Sequence, residues 1–340
     1  MSRLGSSRGS VRHETDPLED SRSDQSVTRV VVCGESVGWH ADQLREAAKR
    51  HGVAIDFFDY RKLQSSICTG DASPAVEDRD AMANGSTGIG WSGIGSSGIG
   101  SSGIGSSDVV LARTMPAGTM ESVWFRLACL HRCVAAGISV TNPPTALEWA
   151  IDKYTTLDIA RQNGLPVPET VVVQNRSQAM EAFNRLGGDC VVKPIYGGEG
   201  RGVMRIENAE LMWTVASTLQ TNGSVIYIQR FVPPGGRDIR VLIVGPIAHA
   251  IRRENASDFR TNQTDNRARG EVIDHAEAPI AESRKLCEAM GLKFAAVDWL
   301  LDEQETPVLV EINAIPGWRA AQRVVRSSIA SDLLAALLAA

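Results

Sequence analysis

The stretch KPIYGGEGRGV, residues 193–203, places four glycines between two apolar runs, one beginning at Cys190 and the other reading VMRI. Both runs read as strands, so the glycines form a long hairpin turn. A P-loop needs a Lys-Ser/Thr pair and then a helix, whereas Gly202 is followed by Val203, Met204 and a strand. The dinucleotide fingerprint needs its glycines at a strand-to-helix turn, which also fails here. Two readings are left: a hairpin whose backbone amides lie over a polyphosphate, with Lys193 supplying charge, or a long turn with no ligand.

Other residues suit such a ligand. In VEINA, Glu311 and Asn313 are two apart on a strand and share a face, and Asp298 in AVDWL offers a third oxygen donor. An all-oxygen set without His or Cys suits Mg²⁺ or Mn²⁺. One acid alone would be explained by a local hydrogen bond; three donors beside a glycine hairpin and lysines favour the metal. Lys153, Lys193, Arg240, Arg252, Arg253 and Arg260 fall in or beside apolar strands and short motifs. They are either surface charge or the positioned cations that phosphoryl transfer depends on. Asp238 and Arg240 share one strand face, with Ile239 on the other.

The chain has 340 residues, enough for two or three compact units, and an apolar share of 43% supports real cores. A net charge of -5 offers no broad basic surface, so nucleic-acid binding is not expected. No apolar run is long enough to span a membrane, and the first residues contain no signal-like segment; a soluble, cytoplasmic protein is expected. Six cysteines are scattered through apolar patterns and read as reduced core residues. Cys129 and Cys133, with His131 between them, raise a metal site as the alternative to packing, but no second ligand pair follows.

Residues 1–26 lack apolar periodicity and read as a disordered tail. Residues 27–140 read as an α/β domain, interrupted at about 70–107 by a flexible insertion that contains four copies of a GIGSS-like unit. Residues 141–340 alternate short helices with predominant strands and read as α+β. A tether or lid role for the insertion, and packing of the C-terminal apolar helix on its own domain or on a partner copy, remain open.

In their order, the segments IDKYTTLDIARQNGLPVPET, VVKPIYGGEGRGV, IYIQRFV, GRDIRVLIVG, DFRTN, AAVDWLL and VEINAIPGW resemble the ATP-grasp superfamily, more closely its RimK-type amino-acid ligases. The resemblance covers nearly all of residues 141–325 and, loosely, the α/β unit before them. It implies two subdomains clasping ATP, a lid at about 155–232 and a metal-binding part at about 233–340. It also implies an ATP-dependent carboxylate-amine ligase acting through an acylphosphate. Lys153 and Lys193 match lysines on ATP phosphates, and Gly197, Gly198, Gly200 and Gly202 the phosphate lid. Gln229, Arg230, Phe231 and Val232 match the adenine hinge; Asp238 matches a nucleotide-side residue; Arg260, Thr261 and Asn262 match a further nucleotide contact. Asp298, Glu311 and Asn313 match the Mg²⁺ ligands, and Arg240, with Lys193, the catalytic cations near the acylphosphate.

The sequence departs from that pattern in two places. Arg230 stands where a glutamate commonly follows the hinge glutamine. Trp318 and Arg319 follow Pro316-Gly317 where the ribosomal-protein-modifying members carry small or acidic residues, which puts the acceptor in doubt. A similar proline-glycine-tryptophan ending occurs among members linked to tetrahydromethanopterin-type cofactors. Arg113, Arg252 and Trp318 are further candidates for substrate contact; Arg113 is equally explained by a salt bridge between domains. The resemblance implies addition of glutamate to a carboxylate on a small cofactor or a protein tail, and leaves a homo-oligomer open. The alternative is a non-catalytic ATP-binding regulatory module on the same scaffold.

Overall fold

The computed structural model describes residues 29–63, 108–198, 200–261 and 269–339. The expected tail, the glycine-serine-isoleucine insertion and Asn262 lie outside the described residues.

Strands β1 (Arg29–Cys33), β2 (Ala54–Phe58), β3 (Val109–Ala112) and β4 (Ser139–Thr141) form a parallel sheet in the order β2-β1-β3-β4. β1 is buried along almost its whole length, as expected of a parallel strand covered on both faces. Helix α1 (Trp39–His51) buries Ala41, Leu44, Ala47 and Ala48 at helical spacing and stops at left-handed Gly52. Helix α2 (Met120–Ala135) starts at Thr119, whose hydroxyl accepts the Ser122 amide at 3.3 Å.

Asn142 joins this unit to the rest. Its amide nitrogen donates to Phe294 O at 2.6 Å and Ala314 O at 2.8 Å, and its Oδ1 accepts the Lys293 and Phe294 amides at 2.9 and 3.0 Å. All four polar valences of one buried side chain are therefore spent at the start of the strand Phe294–Leu301 and just past the end of the strand Pro307–Asn313, the two strands that carry the expected metal ligands.

After α3 (Pro144–Ile151) and α4 (Lys153–Gln162), the second of which is capped by Asp152, comes a small antiparallel sheet. It is built from β5 (Thr170–Val173), β6 (Cys190–Lys193), β7 (Met204–Ile206) and β8 (Ile226–Arg230), ordered β5-β8-β6-β7. Helices α5 (Arg176–Arg185) and α6 (Ala209–Thr221) cover one face and share with it a separate core that includes Phe183, Met212 and Ile228.

The largest sheet comprises β9 (Arg237–Val244), β10 (Ile247–Glu254), β11 (Arg269–Val272), β12 (Phe294–Leu301) and β13 (Pro307–Asn313), ordered β11-β10-β9-β12-β13 and antiparallel throughout. Helix α7 (Ile280–Met290) packs on it, and the short α8 (Arg319–Gln322) leads into α9 (Ile329–Leu338). Both cores of this half continue into the N-terminal sheet, and α9 buries Ile329, Leu333, Leu334 and Leu337 among residues of α1 and β9. Among the described residues no helix is long and apolar enough to cross a membrane.

Two elements go beyond the sequence reading. α5 carries only a narrow apolar stripe, Ala179, Ala182 and Phe183, but Asn175 caps it through the Gln178 amide. β11 exposes all four residues and is held by its ladder to β10 alone, so no hydrophobic pattern announced it.

Candidate active site

A cleft of about 860 Å³, its solvent-open part included, lies between the small and the large antiparallel sheets. Alternation places its wall on the small sheet: Cys190, Val192 and Ile228 turn into the separate core, so Val191, Lys193 and Gln229 face the cleft. The Lys193 ammonium donates to Gln229 Oε1 at 3.1 Å and lies 5.1 Å from the centre of the Tyr227 ring. Gln229 Nε2 in turn donates to Thr170 Oγ1 at 2.9 Å. Burial pushes Lys193 down to about 8; Glu311 opposes this shift and Lys153 adds to it.

The glycine stretch is the turn between β6 and β7, which pair antiparallel. Gly197, Gly198 and Gly200 line the cleft, and Lys153 Nζ donates to Gly197 O. Gly202 does not line it. There φ is 70°, and a Cβ would come within 2.9 Å of Pro194 Cγ, so the turn closes only on glycine.

The opposite wall comes from the large sheet. Asp298 and Glu311 are directly opposed across β12 and β13, and the register shifts between Asp298 and Trp299. Val310 is the extra residue of this bulge and lines the cleft beside Glu311. Lys153 Nζ is 3.8 Å from Glu311 Oε1, which links the two walls. Asp298 accepts Arg240 Nε at 2.7 Å and Nη2 at 2.6 Å, and Arg253 Nη2 at 3.2 Å. Burial alone would raise the Asp298 carboxyl, but Arg240 and Arg253 outweigh it and hold it below the usual carboxylate range.

These donors fit a hard divalent cation. A carboxylate offers about four lone-pair sites, of which Asp298 spends three. Glu311 is partly exposed, with Lys153 nearby but not in hydrogen-bond contact. Asn313 lies on the same strand face as Glu311, outside the cleft lining, and its Oδ1 accepts the Ile315 amide at 2.9 Å, leaving one lone pair. No cluster of three or more His, Cys, Asp or Glu suited to a metal occurs among the described residues, so the set is two carboxylates and an amide.

The other residues expected at the nucleotide also have protein partners. Asp238 lines the cleft, but its carboxylate is spent on Arg253, through Nε at 2.7 Å and through Nη2, and on the Thr261 hydroxyl. Gln229 lines the cleft and spends one Oε1 lone pair on Lys193 and its amide nitrogen on Thr170, at 2.9 Å, and Tyr227, at 3.4 Å. Arg230 donates to Glu169 at 2.7 Å and Phe231 packs under Arg205 at 3.7 Å, and both line the cleft together with Val232. Arg260 also lines it and is braced by Asp258 at 2.7 Å.

Arg252 sits on the other face of β10, where its Nη1 donates to Glu305 at 3.1 Å, because alternation gives Arg253 the cleft side. Trp318 is fully buried against Phe294 and His40 and touches no open site. Arg113 stacks 4.6 Å from the Trp318 ring and donates to Pro316 O at 2.8 Å, and burial lowers it to about 10. It fixes the turn after β13, and neither a carboxylate fork nor a salt bridge describes it among the described residues. His131 turns to Glu148 at 2.8 Å while Cys129 and Cys133 are buried, so these three do not converge on a metal.

The residue that sequence reasoning underrated is Arg253. β9 and β10 are joined through Gly245-Pro246, and that tight turn fixes the register that sets Arg253 opposite Asp238.

Two antiparallel sheets closing on a cleft, with lysines and a glycine turn on one side and carboxylates on the other, define a nucleotide clasp of the ATP-grasp type. The RimK-like ATP-grasp domain profile matches residues 150–337, and the chain belongs to that family. A tetrahydromethanopterin:alpha-L-glutamate ligase of Methanosarcina acetivorans is 30% identical over 76% of this chain and 78% of its own length. An alpha-aminoadipate–LysW ligase, LysX, of Saccharolobus solfataricus is 29% identical over 58% of this chain and 74% of its own. The solved structure of the ATP-grasp ligase PsnB with a minimal precursor superposes with a TM-score of 0.68 at 20% identity, covering 92% of this chain and 99% of that one. The last likeness speaks for the fold alone. By these relatives the chain is an ATP-dependent ligase.

Proposed function

We propose that the protein joins the amine of an amino acid, glutamate in the favoured case, to a carboxylate on a small cofactor or a protein tail, using ATP. The observation that carries this reading is the facing of Lys153 and Lys193 with Asp298 and Glu311 across one cleft. A nucleotide-binding module would need the lysines and not the opposed carboxylates.

In this reading a carboxylate oxygen of the acceptor attacks the γ-phosphorus, the bond to the β-phosphate oxygen breaks and ADP leaves. The amine nitrogen then attacks the acyl carbon, the acyl carbon–oxygen bond breaks, phosphate departs and the ammonium proton is released. Lys193 and Lys153 hold the phosphate oxygens, and the glycine turn covers them and excludes water. Arg240, paired with Asp298, is the cation that this reading assigns to the charge of the acylphosphate. Mg²⁺ or Mn²⁺ held by Asp298, Glu311 and Asn313 would neutralise the phosphates and polarise the transferred group.

The acceptor reading draws on the relatives, one named for a pterin cofactor and one for a carrier protein. An acylphosphate can be trapped. With MgATP, a cell extract supplying the acceptor, and hydroxylamine in place of glutamate, a hydroxamate of the acceptor should form. Its absence, with ADP still released, would contradict the acylphosphate route.

A further inference from the structure

Arg253 stands in the middle of a buried chain of hydrogen bonds. Thr261 donates to Asp238 Oδ2, Arg253 grips Asp238 through Nε at 2.7 Å and through Nη2, and Arg253 Nη2 also reaches Asp298 Oδ1 at 3.2 Å. Arg240 completes the chain with its two bonds to Asp298. The links cross three neighbouring strands: Arg253 opposes Asp238 between β10 and β9, and Arg240 opposes Asp298 between β9 and β12.

The two arginines are not equivalent. Arg240 bonds one carboxylate and keeps 20% of its side chain exposed, so it can turn to an incoming anion. Arg253 is bound to two carboxylates and is only 11% exposed, and Asp238 is 3% exposed. Arg253 cannot leave without stranding a buried charge. When Arg240 turns to the reacting group, Arg253 alone still restrains Asp298.

We infer that Arg253 is the positioning residue of the divalent-cation site, holding the Asp298 carboxylate in one orientation, with Asp238 and Thr261 bracing Arg253 from the other side. This role rests on the ligase reading above. It differs from a nucleotide contact in what its loss disturbs, namely metal affinity and not nucleotide affinity.

Mn²⁺ is the probe. Its binding to the full-length protein with saturating ADP is followed by electron paramagnetic resonance, and ADP binding is measured separately in EDTA. Arg253→Lys keeps a cation but loses the fork; it should weaken Mn²⁺ binding about tenfold and leave ADP affinity in EDTA within about twofold. Asp238→Asn should weaken Mn²⁺ binding in the same direction, and the double variant should bind Mn²⁺ no worse than the more affected single variant, because both cut one link. Thr261→Val removes one hydrogen bond and guards against failed folding; it should shift Mn²⁺ affinity by about two- to threefold in the same direction. Unchanged Mn²⁺ affinity in these variants, or ADP binding in EDTA weakened as much as Mn²⁺ binding in Arg253→Lys, would overturn the positioning role alone. A wild-type protein that binds neither ADP nor Mn²⁺ would overturn the ligase reading, and this role with it.

Discussion

Lys193 and Gln229 form a buried ammonium–amide pair, 3.1 Å from Nζ to Oε1, on the face of the small sheet that lines the cleft. The pair explains how a lysine with a lowered affinity for its proton stays positioned. With Lys193 near 8, nucleotide phosphates arriving beside it favour its charged form. ADP binding between about pH 8 and 10 should therefore take up a fraction of a proton. Calorimetry in two buffers of different ionisation heat reads this directly: buffer-dependent heats are expected in the wild type and not in Lys193→Met. Equal heats in both buffers for the wild type would contradict the assignment.

A second pH effect arises far from the chemistry. His40 Nε2 accepts the Trp318 amide at 3.1 Å, which requires an unprotonated nitrogen. Burial, with Arg113 and Arg319 nearby, pushes His40 down to about 4, against an unfolded value near 6.5. The unfolded chain therefore binds the extra proton between about pH 4 and 6.5, and stability falls as pH drops through that window. Because the ring is partly exposed, the loss is discounted to about 1–2 kcal/mol. The thermal midpoint should fall by a few degrees more in the wild type than in His40→Asn between pH 7 and 5. Parallel falls would refute this.

Glycine substitutions should separate closure from ligand contact. At Gly236, φ is 69° and a Cβ would sit 2.6 Å from Asn255 O and 2.9 Å from Asp258 O. Gly236→Ala should cost about 2–4 kcal/mol and displace the turn that carries Arg260 and Thr261. Gly198 has open space, so Gly198→Ala should leave the thermal midpoint within about a degree. Calorimetric unfolding of both variants tests the contrast.

The corrected substrate candidates predict silence at the site. Arg252→Ala breaks a surface pair with Glu305 and should leave kcat/KM within about twofold. Trp318→Ala should cost about 3–5 kcal/mol, whereas Trp318→Phe should keep acceptor choice unchanged. A changed acceptor profile in Trp318→Phe would return that residue to the substrate.

Much of this was legible in the sequence because it depends on local rules. The glycine hairpin, the two-residue spacing of Glu311 and Asn313 and the strand runs that carry them follow from turn chemistry and period-two alternation. The same alternation separates Arg252 from Arg253, but only the register through Gly245-Pro246 says which of the two faces Asp238. Trp318 was misplaced because a large aromatic residue beside a glycine turn reads alike on a rim and in a core; the neighbours that bury it, Phe294, His40 and Trp39, come from distant segments. Helix α5 was missed because its stripe is mostly alanine, and β11 because pairing and not burial makes it a strand.

The central claim is tested most directly by incubating the purified protein with MgATP, isotopically heavy glutamate and a cell extract, and locating the label by mass spectrometry against a Glu311→Ala control. The account predicts heavy glutamate in amide linkage on a small molecule or a protein C-terminus, with ADP formed in equal amount and both lost in the control. ATP-dependent label absent from the wild type, or undiminished in Glu311→Ala, would contradict it.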